Sequence, residues 1–147
     1  MIIKSLEQLN SFSEKVADRL EGKDCIFLTG EIGVGKTTFT RFLINYLQKK
    51  EGLNITEVLS PTFNLLYEYD FKKYKIMHYD LYRLTNEKEV NNLHIFQENE
   101  DAIKIIEWPS LIKIPIFDKL EINLDYGRYE NERKIRFLGT GKWENFK

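Results

Sequence analysis

The hydrophobic and polar positions along the chain predict strands that alternate with helices. Residues 25–28, Cys-Ile-Phe-Leu, form a short apolar run typical of a buried strand. After a glycine-rich stretch, apolar residues recur at the three- and four-residue spacing of one helix face, at Phe39, Phe42, Leu43, Tyr46 and Leu47. Gly52 then provides a stop signal. The pattern predicts a strand, a glycine-rich loop and a long helix in direct succession.

A second helix is predicted near the N-terminus. Ser5, with Gln8 three residues later, forms a capping-box pattern. Four apolar residues then lie along one face, at Leu9, Phe12, Val16 and Leu20, and Gly22 ends the run. We expect this helix to pack on the sheet.

A two-residue period predicts two antiparallel hairpins. Apolar and polar residues alternate from Phe63 to Tyr69, a polar turn follows, and residues 75–82 form the predicted returning strand. Pro61 lacks a backbone donor, so the segment before this hairpin is predicted to be a break or an edge. The second hairpin is predicted from alternating apolar residues on either side of polar residues 125–133, at Leu120, Ile122, Leu124, Ile135 and Phe137.

The remaining segments complete an α/β pattern. Residues 102–106 form a further core strand that ends at Glu107, and Thr85 is placed to cap a short helix that includes Glu87. We therefore predict a three-layer domain with a mixed, mostly parallel central sheet. The loop strand and the Glu107 strand should lie centrally in it, with antiparallel hairpins toward the edges.

Composition and charge limit the classes of function. The 147 residues are 42% hydrophobic and 14% aromatic, which favours one packed domain over residues 1–147. A net charge of −1 offers no basic face for RNA, so any role with nucleic acid is expected to be indirect. One cysteine and two histidines cannot build a zinc site without several carboxylates. No apolar stretch reaches membrane-spanning length and no signal-peptide core is present, so we expect a soluble, cytoplasmic protein.

The glycine-rich stretch is the strongest chemical signal. Residues 30–37, Gly-Glu-Ile-Gly-Val-Gly-Lys-Thr, match the phosphate-binding pattern G-x-x-x-x-G-K-[ST] without substitution. The glycines allow a tight loop whose backbone N–H groups converge on an anion, and the following helix points its positive dipole end the same way. Lys36 would contact the β- and γ-phosphates, and the Thr37 hydroxyl would ligate magnesium. A dinucleotide fingerprint fits less well, because Thr38 stands where its third glycine belongs. The predicted fold is therefore P-loop NTPase-like.

Two acids are predicted at the same edge of the sheet as this loop. Glu107 ends its strand where nucleotide-hydrolysing P-loop proteins keep the acid that holds magnesium or its water; the alternative is a surface carboxylate. Asp80 also ends a strand, and it could orient a water, bind magnesium through a water, or pair with a basic residue. His78 shares a strand face with Asp80 and is interpreted as structural, outside the catalytic set. Trp108 could wall the nucleotide site or cover the end of the sheet.

Four motifs in order give the chain a specific resemblance. They are the loop through Thr38 and Phe39, Ser-Pro-Thr-Phe at 60–63, His-Tyr-Asp-Leu-Tyr-Arg-Leu at 78–84, and Glu-Trp-Pro at 107–109. In sequence and separation they resemble the TsaE family, small bacterial P-loop ATPases needed to make threonylcarbamoyladenosine in tRNA. The resemblance covers nearly the whole chain.

The resemblance implies an ATPase that turns over slowly alone and works with the TsaD–TsaB pair. ATP binding or hydrolysis would reset that complex between rounds, and this chain would meet tRNA only indirectly, through the complex. By resemblance, Thr37 and Glu107 hold Mg²⁺, residues 60–62 form a first switch loop, and Asp80 lies beside the γ-phosphate in a second. Lys36, Asp80 and Glu107 would form the catalytic set. The ATP-binding set would be Glu31, Ile32, Gly33, Val34, Gly35, Lys36, Thr37 and Thr38, with Arg133 near the base.

The chain also departs from the family pattern. Leu-His-Ile at 93–95 stands where family members usually carry a Leu-Gly-Leu-type turn, and residues 96–101 match poorly. Leu9 occupies a position where a threonine often approaches the nucleotide. These departures concern the partner surface and the base pocket.

Two other functions remain open on the sequence. A small-molecule kinase could use the same loop, but it would need an arginine-rich lid, and the arginines here are scattered. A non-catalytic module could use ATP only to select a conformation. The two acids favour turnover over that last alternative.

Overall fold

The computed structural model describes residues 1–147 and contains one seven-stranded mixed sheet with three α-helices. The strands are β1 (Ile2–Ile3), β2 (Cys25–Thr29), β3 (Leu66–Asp70), β4 (Lys75–Asp80), β5 (Ile103–Glu107), β6 (Lys119–Tyr126) and β7 (Arg133–Thr140). The helices are α1 (Leu6–Ala17), α2 (Lys36–Lys50) and α3 (Glu87–Asn91), and short 3₁₀ turns occupy Pro109–Leu111 and Gly141–Trp143.

The strand order β1-β7-β6-β2-β5-β4-β3 confirms the α/β architecture expected from the sequence. The four central strands, β6, β2, β5 and β4, run parallel, and both edges are antiparallel. Leu28 pairs with Glu107 across β2 and β5, and Asp80 pairs with Glu107 across β4 and β5. The carboxyl ends of these strands therefore meet at one edge of the sheet.

The sheet is buried on both faces by two separate apolar clusters. Helices α1 and α2 cover one face, where Leu28, Phe39 and Leu43 belong to a cluster of 23 buried residues. On the other face, Val90 of α3 and Ile95 pack with strand residues in a cluster of nine. Strands β2 and β5 lie under both clusters and are buried along nearly their whole length, whereas β6 keeps the alternating pattern of a strand buried on one face only.

Most predicted boundaries are confirmed, and three differ for local reasons. The first strand of the first hairpin begins at Leu66 and not at Phe63, because residues 62–64 form a turn and Leu65 has φ 67°. Ser5 accepts from the Gln8 backbone N–H and caps α1, but the helix ends at Ala17 and does not reach Gly22. The chain leaves the helix early because Leu20 donates to the Ala17 carbonyl in a tighter turn.

The cap of α3 also differs from the prediction. Asn86, not Thr85, accepts from the backbone N–H of Glu89 and forms the cap. The Thr85 hydroxyl instead donates to the Glu89 carboxylate at 2.7 Å. The sequence offered two adjacent capping residues, and the one three positions before Glu89 has the reach to its backbone N–H.

Two features were not predicted from the pattern. Strand β1 has only two residues, too few to show a period, and it pairs with β7. Trp143 is fully buried beside Phe146 although it stands in a polar C-terminal stretch. No helix of the chain is both long enough and apolar enough to cross a membrane.

The buried helix face generates a stability prediction. Leu43 of α2 is fully buried in the larger cluster, so Leu43→Ala should lower the free energy of unfolding by about 2–5 kcal/mol. Leu6 of α1 is 67% exposed, so Leu6→Ala should cost less than about 0.5 kcal/mol. Urea unfolding of both variants tests this, and equal losses would contradict the assigned packing.

Candidate nucleotide-binding site

The glycine-rich loop joins the end of β2 to the start of α2 in a conformation that its glycines make possible. Gly30 has φ 141°, and an added Cβ would clash with the backbone carbonyl of Leu124. Gly35, which precedes the helix, has φ 125°. L-residues with side chains rarely adopt either value, so the loop geometry follows directly from the glycines.

Backbone donors converge at the entrance of α2. The N–H groups of Gly33, Gly35, Lys36 and Thr37 have no backbone acceptor in the chain. The first turn of α2 carries no acidic residue, so no side chain of the helix itself neutralises the positive end of its dipole. This arrangement is suited to bind an anion such as a phosphate group.

Lys36 is folded back onto its own loop. Its Nζ donates to the carbonyls of Gly30 at 2.6 Å and Glu31 at 2.8 Å, and it lies 4.4 Å from the ring centre of Trp108. Burial lowers the pKa of Lys36, and the negative charges of Glu107 and Asp80 oppose that shift. The ammonium is thus held in the loop by two neutral carbonyl acceptors and by no carboxylate.

Thr37 and Glu107 face each other across the loop. The Thr37 hydroxyl lies 3.2 Å from each oxygen of the Glu107 carboxylate, and Glu107 is only 2% exposed. A hydroxyl and a carboxylate are hard oxygen donors, and magnesium commonly takes one or two such protein ligands beside phosphate and water. The residues present therefore fit a magnesium ion that accompanies a phosphate.

Asp80 is tied to the segment between α2 and β3. Its Oδ2 accepts from the hydroxyls of Ser60 and Thr62, both at 2.8 Å, and its Oδ1 accepts from the backbone N–H of Tyr82 at 2.9 Å. None of its partners is a lysine or arginine. The two segments named as switch loops by resemblance are therefore joined through one carboxylate.

His78 contacts Glu107, a contact that the sequence did not reveal. Its Nε2 lies 2.7 Å from Oε2 of Glu107, and its side chain is fully buried. The contact depends on β4 and β5 being parallel neighbours in a particular register, which no local signal in the sequence gives.

These groups line a cavity of about 350 Å³ at the carboxyl edge of the sheet. Trp108 and Tyr82 form one wall, with ring centres 4.9 Å apart. The lining also includes loop residues and both acids: Ile32, Gly33, Gly35, Lys36, Thr37, Thr38, Ser60, Thr62, Asp80 and Glu107. Both interpretations of Trp108 hold, because it lines this cavity and also packs against the smaller apolar cluster on the sheet.

Arg133 lies on the other side of the loop. Its Nε donates to the Val34 carbonyl at 2.9 Å, and its guanidinium stacks 4.6 Å from the ring centre of Tyr126. It lines a second cavity of about 290 Å³ with Leu9, Val34 and Thr38. Tyr126, whose hydroxyl donates to the Ile32 carbonyl at 3.0 Å, was missed because it follows an ordinary strand pattern.

A larger cavity, about 520 Å³, opens on the sheet face away from α1 and α2. It is lined by strand residues such as Phe27, Lys119 and Arg136, and Arg136 is already bonded to Asp125 at 2.7 Å. It has neither a glycine loop nor a helix N-terminus. Although it is larger, it is therefore a poorer phosphate site than the cavity beside the glycine-rich loop.

A glycine-rich loop between a parallel strand and a helix, on a sheet of this order, defines an α/β domain of the P-loop NTPase-like class. The family model for threonylcarbamoyl adenosine biosynthesis protein TsaE matches residues 3–135. The chain therefore belongs to the TsaE family, whose members take part in threonylcarbamoyladenosine biosynthesis in tRNA.

Individual relatives agree with this assignment. The TsaE protein of Rickettsia conorii is 34% identical over 144 residues, which cover 97% of this chain and 79% of that protein. The Aquifex aeolicus protein of the same name is 36% identical over 140 residues and is covered to 92%. The crystal structure of Bacillus subtilis YdiB superposes with a TM-score of 0.72 over 98% of this chain and 86% of its own, at 23% identity, which supports the fold.

The loop geometry generates a second stability prediction. Gly30→Ala should lower the free energy of unfolding by about 2–4 kcal/mol, because the new Cβ meets backbone at an unfavourable φ. Gly52 also has positive φ, 70°, but an added Cβ meets nothing within 4 Å, so Gly52→Ala should cost only about 1 kcal/mol. Thermal and urea unfolding distinguish the two, and a larger loss at Gly52 would contradict the described loop.

Proposed function

We propose that this chain is an ATPase that supports threonylcarbamoyladenosine modification of tRNA by binding and resetting the TsaD–TsaB complex. The observation that carries the proposal is the single cavity in which the loop, Lys36, Thr37 and Glu107 meet. ATP is the substrate and ADP the product, and tRNA is contacted only through the complex. The chain acts in the cytoplasm.

In this proposal the loop binds the phosphates. The free N–H groups of Gly33, Gly35 and Thr37 support a site for the β-phosphate at the N-terminus of α2. Lys36 exchanges its two carbonyl acceptors for β- and γ-phosphate oxygens, which are stronger acceptors because they are charged. Glu31, Ile32, Val34 and Thr38 supply the remainder of the ATP-binding loop.

Thr37 and Glu107 hold Mg²⁺ in the proposed site. When bound, the ion neutralises the charge that develops on the phosphates during transfer to water. The chain's own contribution is to keep both ligands together: Thr37 lies in the first turn of α2 and Glu107 ends β5, so both belong to regular elements. Glu107 binds the ion directly or through one water molecule.

Asp80 connects the nucleotide to the rest of the surface. Ser60 and Thr62 are the partners of its carboxylate, and Arg83 donates to the Thr62 carbonyl at 2.8 Å. A γ-phosphate in the cavity would compete for the two hydroxyls and so change the position of this segment. Such a switch gives a physical route from nucleotide state to affinity for TsaD–TsaB.

The base is assigned to the second cavity, beside Arg133. The Arg133 guanidinium, which stacks on the Tyr126 ring, lines this cavity, and Leu9 and Val34 offer apolar contact. Leu9 replaces the threonine common in the family, so base contacts at this position are apolar in this chain.

The second candidate is a binding module that binds ATP without hydrolysing it. Every feature of the glycine-rich loop would support ATP binding in such a module as well as in an ATPase. A kinase is less well supported. Its lid would need free arginines, and here Arg83 is bonded to the carbonyls of Thr62 and Phe63, while Arg136 is bonded to Asp125.

Removal of the proposed metal-binding acid tests whether ATP turnover takes place at this site. Glu107→Gln should lower magnesium-dependent ATP turnover by about 100-fold or more, because the amide cannot replace a charged oxygen ligand. Binding of ADP without magnesium should change little. The rate of phosphate release at saturating ATP measures the effect.

Glu121→Gln is the matched control. Glu121 lies on β6 and pairs with Lys119 at 2.7 Å, outside the cavity, so this variant should retain wild-type turnover. Unchanged turnover in Glu107→Gln would remove Glu107 from the mechanism.

The partner requirement is tested separately. Steady-state ATP hydrolysis should be slow for the chain alone and should rise clearly with the matching TsaD–TsaB pair. ATP binding with a rate that the pair does not change would favour the binding module.

A further inference from the structure

We propose that His78 is the positioning residue of the magnesium site: its Nε2–H holds Oε2 of Glu107 and leaves Oε1 available to an ion beside Thr37. The inference rests on the proposed function and adds a residue to it that contacts neither nucleotide nor metal.

The geometry begins with the sheet. Asp80 pairs with Glu107 across the parallel strands β4 and β5, and His78 lies two residues before Asp80 on the same strand face. That face is the one covered by α1 and α2, as shown by Ile76 in the same cluster. The imidazole therefore lies beneath the entrance of α2, next to the Glu107 side chain.

The distances show which contact restrains the carboxylate. His78 Nε2 lies 2.7 Å from Oε2 of Glu107, in the short range of hydrogen bonds to charged oxygen. Thr37 Oγ1 lies 3.2 Å from both oxygens, long for a hydroxyl donor, and its one proton can serve only one of them. Glu107 is thus held by His78, and its Oε1 has only the weak Thr37 contact.

Because both side chains are buried, His78 and Glu107 are each other's principal hydrogen-bond partner. The side chains of His78 and Glu107 are 0% and 3% exposed, so water does not compete for the bond. Nδ1 of His78 is buried and has no hydrogen-bond partner from the chain. A histidine kept only to satisfy its own polar atoms would be expected to use both nitrogens. Here the ring has one partner, and that partner is the proposed metal-binding acid.

The consequence is a carboxylate fixed before magnesium arrives. A ligand whose second oxygen is already bonded loses less freedom on binding the ion, and partners of this kind change metal affinity by about 10–100-fold when removed. The effect should appear in magnesium dependence and not in the affinity for nucleotide alone.

Two amide substitutions provide a matched test. In His78→Gln the amide nitrogen can reach the place of Nε2, whereas in His78→Asn it can reach only the place of Nδ1. Magnesium should tighten the binding of ADP to the wild-type protein. We expect His78→Asn to raise the magnesium concentration at which this effect is half complete by about tenfold or more. His78→Gln should stay within about threefold of wild type. Isothermal titration of ADP at a series of magnesium concentrations measures this without turnover.

Controls separate positioning from a general loss of structure. Ile76→Val changes packing on the same face of β4 without touching Glu107, and it should leave the magnesium dependence unchanged. ADP affinity without magnesium should be the same in all variants. Equal weakening with and without magnesium in His78→Asn, or no change in its magnesium dependence, would overturn the inference.

A measurement on the unsubstituted protein applies even if His78→Asn does not fold. The chain has two histidines, and His94 is exposed, so the buried imidazole can be assigned in nitrogen-proton spectra. We expect a slowly exchanging proton on Nε2 and none on Nδ1. A proton on Nδ1 alone would mean that Nε2 does not donate to Glu107, and the inference would be wrong. If the affinity of the wild-type protein for ADP did not depend on magnesium, that result would instead contradict the proposed magnesium site.

Discussion

The parallel pairing of β2 with its neighbour β5 is the constraint on which the site depends. It brings Leu28, just before the glycine-rich loop, level with Glu107 at the end of the next strand. Parallel strands end at the same edge, so the loop and the start of α2 lie next to an acid that comes 70 residues after Thr37 in the chain. The second parallel pair, β5 with β4, adds Asp80 and His78 to the same edge. A shift of one residue in either register would turn these side chains to the opposite face.

The same edge concentrates polar groups that are costly to bury. Lys36, His78, Asp80 and Glu107 are each no more than 5% exposed, and each is held by specific partners. Such groups stabilise the fold little, because desolvation offsets much of their attraction. Trp108 adds backbone strain with φ 57°. The apolar clusters on the two faces supply the stability, so this edge can retain an arrangement that suits ligand chemistry.

The sequence predicted the parts of this arrangement that have local signals. The loop has a fixed pattern, α2 has a helical period, and Asp80 and Glu107 each end an apolar strand, which together imply a shared edge. Contacts that depend on register and on distant segments could not be predicted. The contact of His78 with Glu107 and the burial of Trp143 are of this kind, because nothing near them in the chain marks their partners.

A crystal structure with a non-hydrolysable ATP analogue and magnesium tests the central claim most directly. We predict phosphates against the backbone N–H groups of Gly33 and Gly35, with Lys36 released from its loop carbonyls. Magnesium should lie about 2.1 Å from the Thr37 hydroxyl, with Glu107 bound to it directly or through one water. An analogue bound instead in the cavity beside Phe27 and Arg136, or a magnesium ion remote from Thr37, would contradict the assignment of this edge as the nucleotide site.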